Sequence, residues 1–157
     1  MSSQRIPEIK IEKVKKSTKI AVVTAIWNQD LTDKMLEECL KTLKEFGLKP
    51  VSIRVSGSFE LVAATKQAFL KKFDAVIALG VVLRGETPHF EYVSNAVTNG
   101  LTQIAADTGK PIGFGVLTCD NHEQAKARAG FPGSIENKGK ESALAVLQSL
   151  NEHKKLG

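Results

Sequence analysis

In residues 74–100, DAVIALGVVLRGETPHFEYVSNAVTNG, a strand pattern changes to a helix pattern. The rest of the chain is interpreted from this stretch. Residues 75–83 form a continuous apolar run that is rich in β-branched side chains and too short for a helix. Because the run has no polar alternation, it predicts a central parallel strand buried on both faces. After it, apolar residues recur three or four positions apart, which predicts a helix with one apolar face formed by Phe90, Val93, Val97 and Leu101.

The segment that joins this strand to this helix, residues 84–89, has the features of an anion site. Pro88 suits the first position of a helix, where its missing N–H breaks no hydrogen bond. The backbone N–H groups just before it then face the space at a helix N-terminus, where anions bind; they belong to Gly85, Glu86 and Thr87. His89 can exchange a proton near neutral pH and is the candidate catalytic residue, although a lone histidine here could also be structural. Arg84 could either brace this loop or bind a ligand.

The same alternation of strand and helix runs through the rest of the chain. We predict strands at 19–25, 51–55, 75–83 and 111–117, and helices at 30–46, 60–73, from Pro88 onward, from Asn121 and at 137–150. The pattern indicates an α/β fold, a three-layer α/β/α sandwich with a four-stranded parallel sheet in flavodoxin-like order. Ligands of such sheets bind beyond the carboxyl ends of the strands.

The length of 157 residues and the hydrophobic content of 42% indicate a single domain over residues 1–157. Residues 1–17 are predicted to be a flexible arm, whose alternation at 9–11 could add an extra edge strand to a neighbour's sheet, and 151–157 a charged tail. No apolar run approaches the roughly 20 residues of a membrane span, and the first residues resemble neither a signal nor a transit peptide. We therefore expect a cytoplasmic protein that makes no membrane contact.

The net charge of +5 does not by itself indicate nucleic-acid binding. Many lysines lie in the terminal segments, and one tyrosine and one tryptophan leave little aromatic surface for base stacking, so we predict no nucleic-acid partner. A basic surface that attracts anionic substrates is the better interpretation. Cys39 and Cys119 lie far apart and require neither a disulfide nor a metal, and the HExxH spacing is absent around His89. We predict neither a metal nor a cofactor.

Other unusual residues follow the predicted strands at the ligand-binding edge of the sheet. Trp27 could stack on a flat heterocycle or only cap the end of the sheet. Ser58 could offer its hydroxyl to a ligand beside the N–H groups of Gly57 and Phe59, or simply cap the next helix. Arg128 could bind a phosphate as a planar fork, although a surface arginine alone is weak evidence. Together these residues predict a site for a flat ring and a small phosphate, with a histidine between them.

Four blocks, in this order, resemble the lumazine synthase (6,7-dimethyl-8-ribityllumazine synthase) family. They are GSFEL at 57–61, GVVLRGETPHFEYV at 80–93, FGVLT at 114–118 with EQA at 123–125 and RAG at 128–130, and NKG at 137–139. The resemblance covers nearly all of residues 19–150. It implies a transferase of riboflavin biosynthesis that condenses 5-amino-6-(D-ribitylamino)uracil with 3,4-dihydroxy-2-butanone 4-phosphate and releases phosphate and water.

Carried over position by position, the resemblance gives each candidate residue a role. His89 would donate and accept protons. The uracil and its ribityl chain would meet Trp27, Ser58, Phe59, Glu60, the main chain of Val81, Val82 and Leu83, Phe114 from the adjacent subunit, and Lys138 nearby. The butanone phosphate would be held by Arg128 and by the backbone N–H groups of Gly85, Glu86 and Thr87.

The chain departs from the family pattern at Ser56 and Val62, where members often have proline, and we expect altered loop rigidity there rather than lost activity. The loop at 130–137 resembles that of pentameric members more than that of members which build sixty-subunit shells. A homopentamer with sites between adjacent subunits is therefore expected. Two rival interpretations stay open: an archaeal-type riboflavin synthase, which shares the fold, and a non-catalytic flavin-binding module, which would have no use for His89.

Overall fold

The computed structural model describes residues 7–157. The strands are β1 (Ile20–Ala25), β2 (Val51–Val55), β3 (Ala75–Leu83) and β4 (Ile112–Cys119). The α-helices are α1 (Gln29–Glu45), α2 (Leu61–Leu70), α3 (His89–Thr108), α4 (His122–Lys126) and α5 (Lys138–Lys154), and a 3₁₀ turn at Ser58–Glu60 leads into α2. All four predicted strands and all five predicted helices are therefore present.

The four strands form one parallel sheet in the order β2-β1-β3-β4. This confirms the predicted fold class and the flavodoxin-like strand order. The apolar run at 75–83 is the longest strand and pairs along both of its edges, with β1 on one side and β4 on the other. Because parallel strands end together, the loops that follow them meet at one edge of the sheet.

The residues of β3 alternate between two apolar cores on opposite faces of the sheet. Ile77 and Leu79 pack into the core beneath α1, α4 and α5, whereas Val76 and Ala78 pack into the core beneath α2 and α3. All four side chains are fully buried. A strand covered by helices on both faces needs apolar residues at every position, which explains the unbroken run in the sequence.

Helices α1 and α5 approach each other closely at Gly139. A Cβ atom added to Gly139 would overlap the carbonyl oxygen of Met35, which belongs to the backbone of α1. A glycine is required here by this contact, since its φ is not in the left-handed region. Cys39, one turn further along α1, is buried in the same core, and burial raises the pKa of its thiol to about 12.

Several predicted boundaries are displaced by a few residues. Helix α2 ends at Leu70 instead of residue 73, because Lys72 adopts a left-handed conformation (φ 65°) and the N–H of Phe73 donates back to Ala68. Pro88 is the N-cap of α3 instead of its first residue, so the helix begins at His89, one residue later than predicted. Helix α5 continues to Lys154, so the predicted charged tail is helical for its first four residues, 151–154.

The part of the predicted arm that the structure describes, residues 7–17, does not form a strand. Val14 is buried in the core beneath α1 and Ile11 packs against it, so this stretch is docked on its own domain. Residues 7–17 thus add no strand to the sheet of their own chain, and pairing with the sheet of a neighbouring copy stays a prediction. The prediction for residues 1–6 lies outside the described chain. Across residues 7–157, none of the helices combines the length and the apolar character needed to cross a membrane.

Candidate active site

The loop after β1 is held against the loop after β2 by the main chain. The N–H groups of Ile26 and Trp27 donate to the carbonyl oxygens of Val55 and Ser56 at 2.7 and 3.0 Å. This pairing continues the β1–β2 ladder past the end of both strands and leaves the Trp27 side chain 72% exposed. Trp27 therefore presents a flat apolar face at the carboxyl edge of the sheet. This position is compatible with both predicted roles, stacking on a flat heterocycle and capping the end of the sheet.

Asn28 is a functional candidate that sequence reasoning left without a role. It adopts a left-handed conformation (φ 60°, ψ 49°), and its carbonyl oxygen accepts hydrogen bonds from Leu31 and Thr32 in the first turn of α1. Its side-chain amide donates to the carbonyl oxygen of Val81 at 3.0 Å. Asparagine tolerates the left-handed region. An asparagine directly after a strand was therefore the feature of the sequence that could have indicated this turn. One residue thereby joins the Trp27 loop to the end of β3.

The hydroxyl of Ser58 is buried at the start of the 3₁₀ turn without a hydrogen-bond partner among the described residues. The N-cap is Gly57, whose N–H donates to Glu60 Oε2 at 3.0 Å, so the alternative that Ser58 caps the helix is wrong. Ser58 Oγ lies against Gly80 of β3, where a Cβ atom would come within 2.5 Å of it. Phe59 is 61% exposed beside this turn.

The loop between β3 and α3 exposes main-chain donors. Within residues 7–157, the backbone N–H groups of Gly85, Glu86 and Thr87 form no hydrogen bond. The N–H of His89 faces Thr87 Oγ1 at 3.4 Å, and its exposed imidazole forms no bond to any described residue. Free N–H groups at the start of a 20-residue helix favour an anion, and a neighbouring imidazole could exchange protons with it.

Arg84 braces this loop, which was one of its two predicted roles. Its guanidinium contacts the carboxylates of Glu91 in α3 and Asp120 after β4, the latter at 2.8 Å, and lies over the Phe90 ring. Hydrogen bonds from Arg84 hold the pKa of Glu91 below its ordinary value. The pKa of Arg84 is raised, chiefly by Asp120 and then by Glu91.

A further contact joins the starts of two helices on the other face of the sheet. His122 Nε2 lies 2.6 Å from Asp30 Oδ2, which links α4 to α1. The sequence predicts His122 as a plain surface residue, and it is half exposed but paired. At the start of α4, the side chain of Asn121 accepts a hydrogen bond from the N–H of Gln124, and Gln124 Oε1 accepts one from the N–H of Asp120.

The remaining candidates form a second group that lies on β4 and beyond it. Arg128 donates to the carbonyl oxygen of Gln124 at 2.8 Å, and its Nε lies 4.0 Å from Glu136. Lys138 Nζ lies 3.4 Å from the same carboxylate. Phe114 sits in the middle of β4, opposite Ala78, and is 43% exposed.

The predicted site residues thus fall into two sets on one chain. Those that follow β1 and β2, end β3 or follow it lie at one edge of the sheet: Trp27, Ser58, Phe59, Glu60, Val81, Val82, Leu83, Gly85, Glu86, Thr87 and His89. In the described residues no hydrogen bond or ion pair connects this set with Arg128 or Lys138. Phe114 pairs with the middle of β3 instead of its end.

Both sets lie within a stretch that matches a known family. The model of the 6,7-dimethyl-8-ribityllumazine synthase family matches residues 17–154. The chain belongs to this family. The resemblance predicted from four short blocks is therefore confirmed, and it extends over nearly the whole chain.

Relatives named 6,7-dimethyl-8-ribityllumazine synthase match over most of their own length. The protein from Arthrobacter sp. strain FB24 is 49% identical over 153 residues, 94% of each chain. That from Kineococcus radiotolerans is 47% identical and covers 96% of this chain and 92% of its own. That from Pseudarthrobacter chlorophenolicus is 53% identical over 131 residues, 82% of this chain and 80% of its own. Membership of the lumazine synthase family does not favour the riboflavin synthase interpretation or the flavin-binding interpretation.

Proposed function

We propose that the protein is a 6,7-dimethyl-8-ribityllumazine synthase of riboflavin biosynthesis. Its substrates would be 5-amino-6-(D-ribitylamino)uracil and 3,4-dihydroxy-2-butanone 4-phosphate. The observation that carries the proposal is the family match over residues 17–154, because it includes every candidate residue at once. The geometry is compatible with it, since an exposed indole, a loop of free N–H groups and an imidazole share one edge of the sheet.

The proposed reaction asks for orientation and proton transfer. The 5-amino group of the uracil attacks the ketone, and loss of water gives an imine. Removal of a proton from the neighbouring carbon then allows the C–O bond to the phosphate to break, which leaves an enol. The enol takes up a proton at its terminal carbon and becomes a carbonyl, and attack of the ribitylamino nitrogen on this carbonyl closes the ring with loss of water. Holding two reactants together and moving these protons are tasks that a rigid site with one histidine can perform.

We assign the phosphate end of the butanone substrate to the loop before α3. The N–H groups of Gly85, Glu86 and Thr87 have no partner among the described residues, and Arg128 could add a bidentate charge-assisted contact. The Glu86 carboxylate would turn to solvent, because it would repel the phosphate. His89, at the first position of α3, would then transfer protons between the two substrates.

The uracil ring and its ribityl chain belong, in this proposal, at the ends of β1 and β2. Trp27 would stack on the ring, and Ser58, Phe59 and Glu60 would line the ribityl side. Ser58 begins the 3₁₀ turn at this edge of the sheet, and Phe59 beside it is exposed. The main chain of Val81, Val82 and Leu83 would face the ring.

The absence of any hydrogen bond or ion pair between the two sets in one copy, within the described residues, supports a homo-oligomer. Phe114, Arg128 and Lys138 would complete the site of an adjacent copy, where Phe114 would cover the ring. A pentamer is preferred to a sixty-subunit shell because of the loop at 130–137. The cytoplasmic location likewise stays a prediction from the sequence.

The test is to mix the purified protein with both substrates and to follow lumazine absorbance and fluorescence against the slow uncatalysed background. We expect clear acceleration. Conversion of lumazine alone into riboflavin would instead support the riboflavin synthase interpretation. Binding of riboflavin without any acceleration would support the flavin-binding module.

A further inference from the structure

Arg84 contacts three neighbouring elements beside the candidate site. Its backbone N–H donates to the carbonyl oxygen of Cys119 at 2.9 Å, which extends the β3–β4 ladder. Its guanidinium contacts Glu91 and, at 2.8 Å, Asp120, and its carbon Cζ lies 4.3 Å from the centroid of the Phe90 ring. The residue thereby connects the end of β3, the first turn of α3 and the end of β4.

These contacts surround the segment that carries the proposed chemistry. Phe90 and Glu91 directly follow His89, and Arg84 directly precedes the loop of free N–H groups. This loop has little other support, because its own backbone donors form no hydrogen bond within residues 7–157. Both ends of the loop are therefore held by the same guanidinium.

The chemistry of the contact favours arginine in particular. A planar guanidinium can bind two carboxylates in fixed directions and stack on a ring at the same time, whereas an ammonium group is a single point of charge. To turn towards a phosphate, the guanidinium would have to break its contacts with Glu91 and Asp120. Exposed ion pairs contribute little to stability, so a role in geometry is the more plausible gain from this arrangement.

We propose that Arg84 is a positioning residue that fixes His89 and the anion-binding loop relative to the ends of β3 and β4. The inference rests on the proposed function, since it deepens the role of the same site. Arg84 acts through the loop and does not touch either substrate. A misplacement of about 1 Å at a reacting group can lower a rate by up to roughly 100-fold, so loosening this contact should be visible in kcat.

The main experiment compares Arg84→Lys and Arg84→Gln with the wild type in the lumazine assay. We expect kcat to fall by roughly 10- to 100-fold in both variants, with the KM for the ribitylaminouracil little changed. Lysine should not rescue the rate, because it keeps the charge but loses the fork. Glu152→Gln, which removes the exposed pair with Lys155 at the end of α5, is the matched control and should leave kcat unchanged.

A double-mutant cycle separates positioning from general loss of stability. Asp120→Asn and Arg84→Gln should each lower kcat, and the double variant should be little worse than Arg84→Gln alone. A rise in KM for the butanone phosphate with unchanged kcat would mean that Arg84 binds substrate, and the inference would be wrong. Additive losses in the cycle would also contradict it.

A second readout does not depend on turnover. The chain has three histidines, so the ring signals of His89 in proton NMR can be assigned with His89→Gln and followed as inorganic phosphate is added. We expect Arg84→Lys to change the His89 signals and to reduce their response to phosphate. If the wild type makes no lumazine, the proposed function fails, whereas unchanged His89 signals in Arg84→Lys would overturn the positioning role alone.

Discussion

The imidazole of His89 has no bonding partner among the described residues, which leaves both ring nitrogens free for a substrate. It is held only through its backbone, at the start of α3. A group with this freedom can transfer protons but adds little to folding. Its removal should therefore affect the reaction much more than the stability of the domain.

For His89→Ala we expect kcat to fall by roughly 10²–10⁴-fold, the usual range for one acid–base group, while both substrates still bind. Steady-state kinetics and equilibrium binding of the ribitylaminouracil measure the two effects separately. His153→Ala, at the far end of α5, is the control and should behave as the wild type. An unchanged kcat in His89→Ala would show that orientation alone carries the reaction.

Arg128 shares its surroundings with a negative charge that would compete with a bound phosphate. Glu136 lies 4.0 Å from the Arg128 guanidinium and 3.4 Å from Lys138. We expect Glu136→Gln to lower the KM for the butanone phosphate by about two- to fivefold, which corresponds to roughly 0.5–1 kcal/mol for a partly exposed pair. Steady-state kinetics at a fixed concentration of the ribitylaminouracil measure this KM, with Glu123→Gln on the exposed side of α4 as the control. A raised KM in Glu136→Gln would contradict the idea that Glu136 competes with the phosphate for Arg128.

Residue type was enough to single out some residues of the candidate site but not others. Trp27 and His89 stand out because an indole and an imidazole are unusual in loops after buried strands. The role of Asn28 was not predictable from residue type, because it depends on a φ of 60° and a hydrogen bond to Val81, 53 positions away. The unpaired state of the Ser58 hydroxyl was likewise invisible, since it depends on what the neighbouring β3 places against it.

At the scale of secondary-structure elements, the α1–α5 contact determines how one face of the sheet is covered. Gly139 allows α5 to come so close to α1 that no side chain fits between Gly139 and the backbone of Met35. This glycine belongs to the NKG block that helped to indicate the family. Its structural reason is helix packing, which a sequence pattern by itself does not reveal.

For Gly139→Ala we expect a loss of roughly 1–3 kcal/mol in the free energy of unfolding, because the new methyl group must push α5 away from α1. Urea denaturation followed by circular dichroism measures it. Gly85→Ala is the matched control, since a Cβ there meets no atom within 4 Å and its φ is not left-handed. Equal stability of Gly139→Ala and the wild type would show that the helices can separate freely.

The elements themselves were predictable because their patterns are strong and local. The run at 75–83 lacks polar residues for the simple reason that both faces of β3 are covered. Helix ends were less predictable, because they depend on single backbone conformations. Lys72 ends α2 in a left-handed turn without a glycine, and the charged residues 151–154 extend α5 although their composition suggested a tail.

At the scale of the whole molecule, one copy of the chain holds two parts of the proposed site that no hydrogen bond or ion pair joins within the described residues. His89 and its neighbours lie at the carboxyl edge of the sheet, whereas Phe114 is on the exposed side of the edge strand β4. A symmetric ring of copies could bring the first part of one chain to the second part of the next. Activity would then depend on assembly.

Mixing two defective variants tests this arrangement. If His89 and Arg128 act from different copies, His89→Ala and Arg128→Ala refolded together at equal amounts should recover about one quarter of wild-type activity, because one interface in four is intact on both sides. The measurement is lumazine formation before and after co-refolding. His89→Ala with Trp27→Ala, two changes in the same set, should recover nothing. No recovery in the first mixture would place both residues in one copy.

The direction of α5 has a practical consequence. His153 and Lys154 lie beside Asp74 and Pro111, the residues that precede β3 and β4, so the helix ends at the edge of the sheet opposite to His89. The nine residues of β3 separate these edges by roughly 25–30 Å. A linker attached after Gly157 would therefore leave from the edge remote from the loops of the candidate site, and the protein could be immobilised on a solid support with those loops still open to solvent.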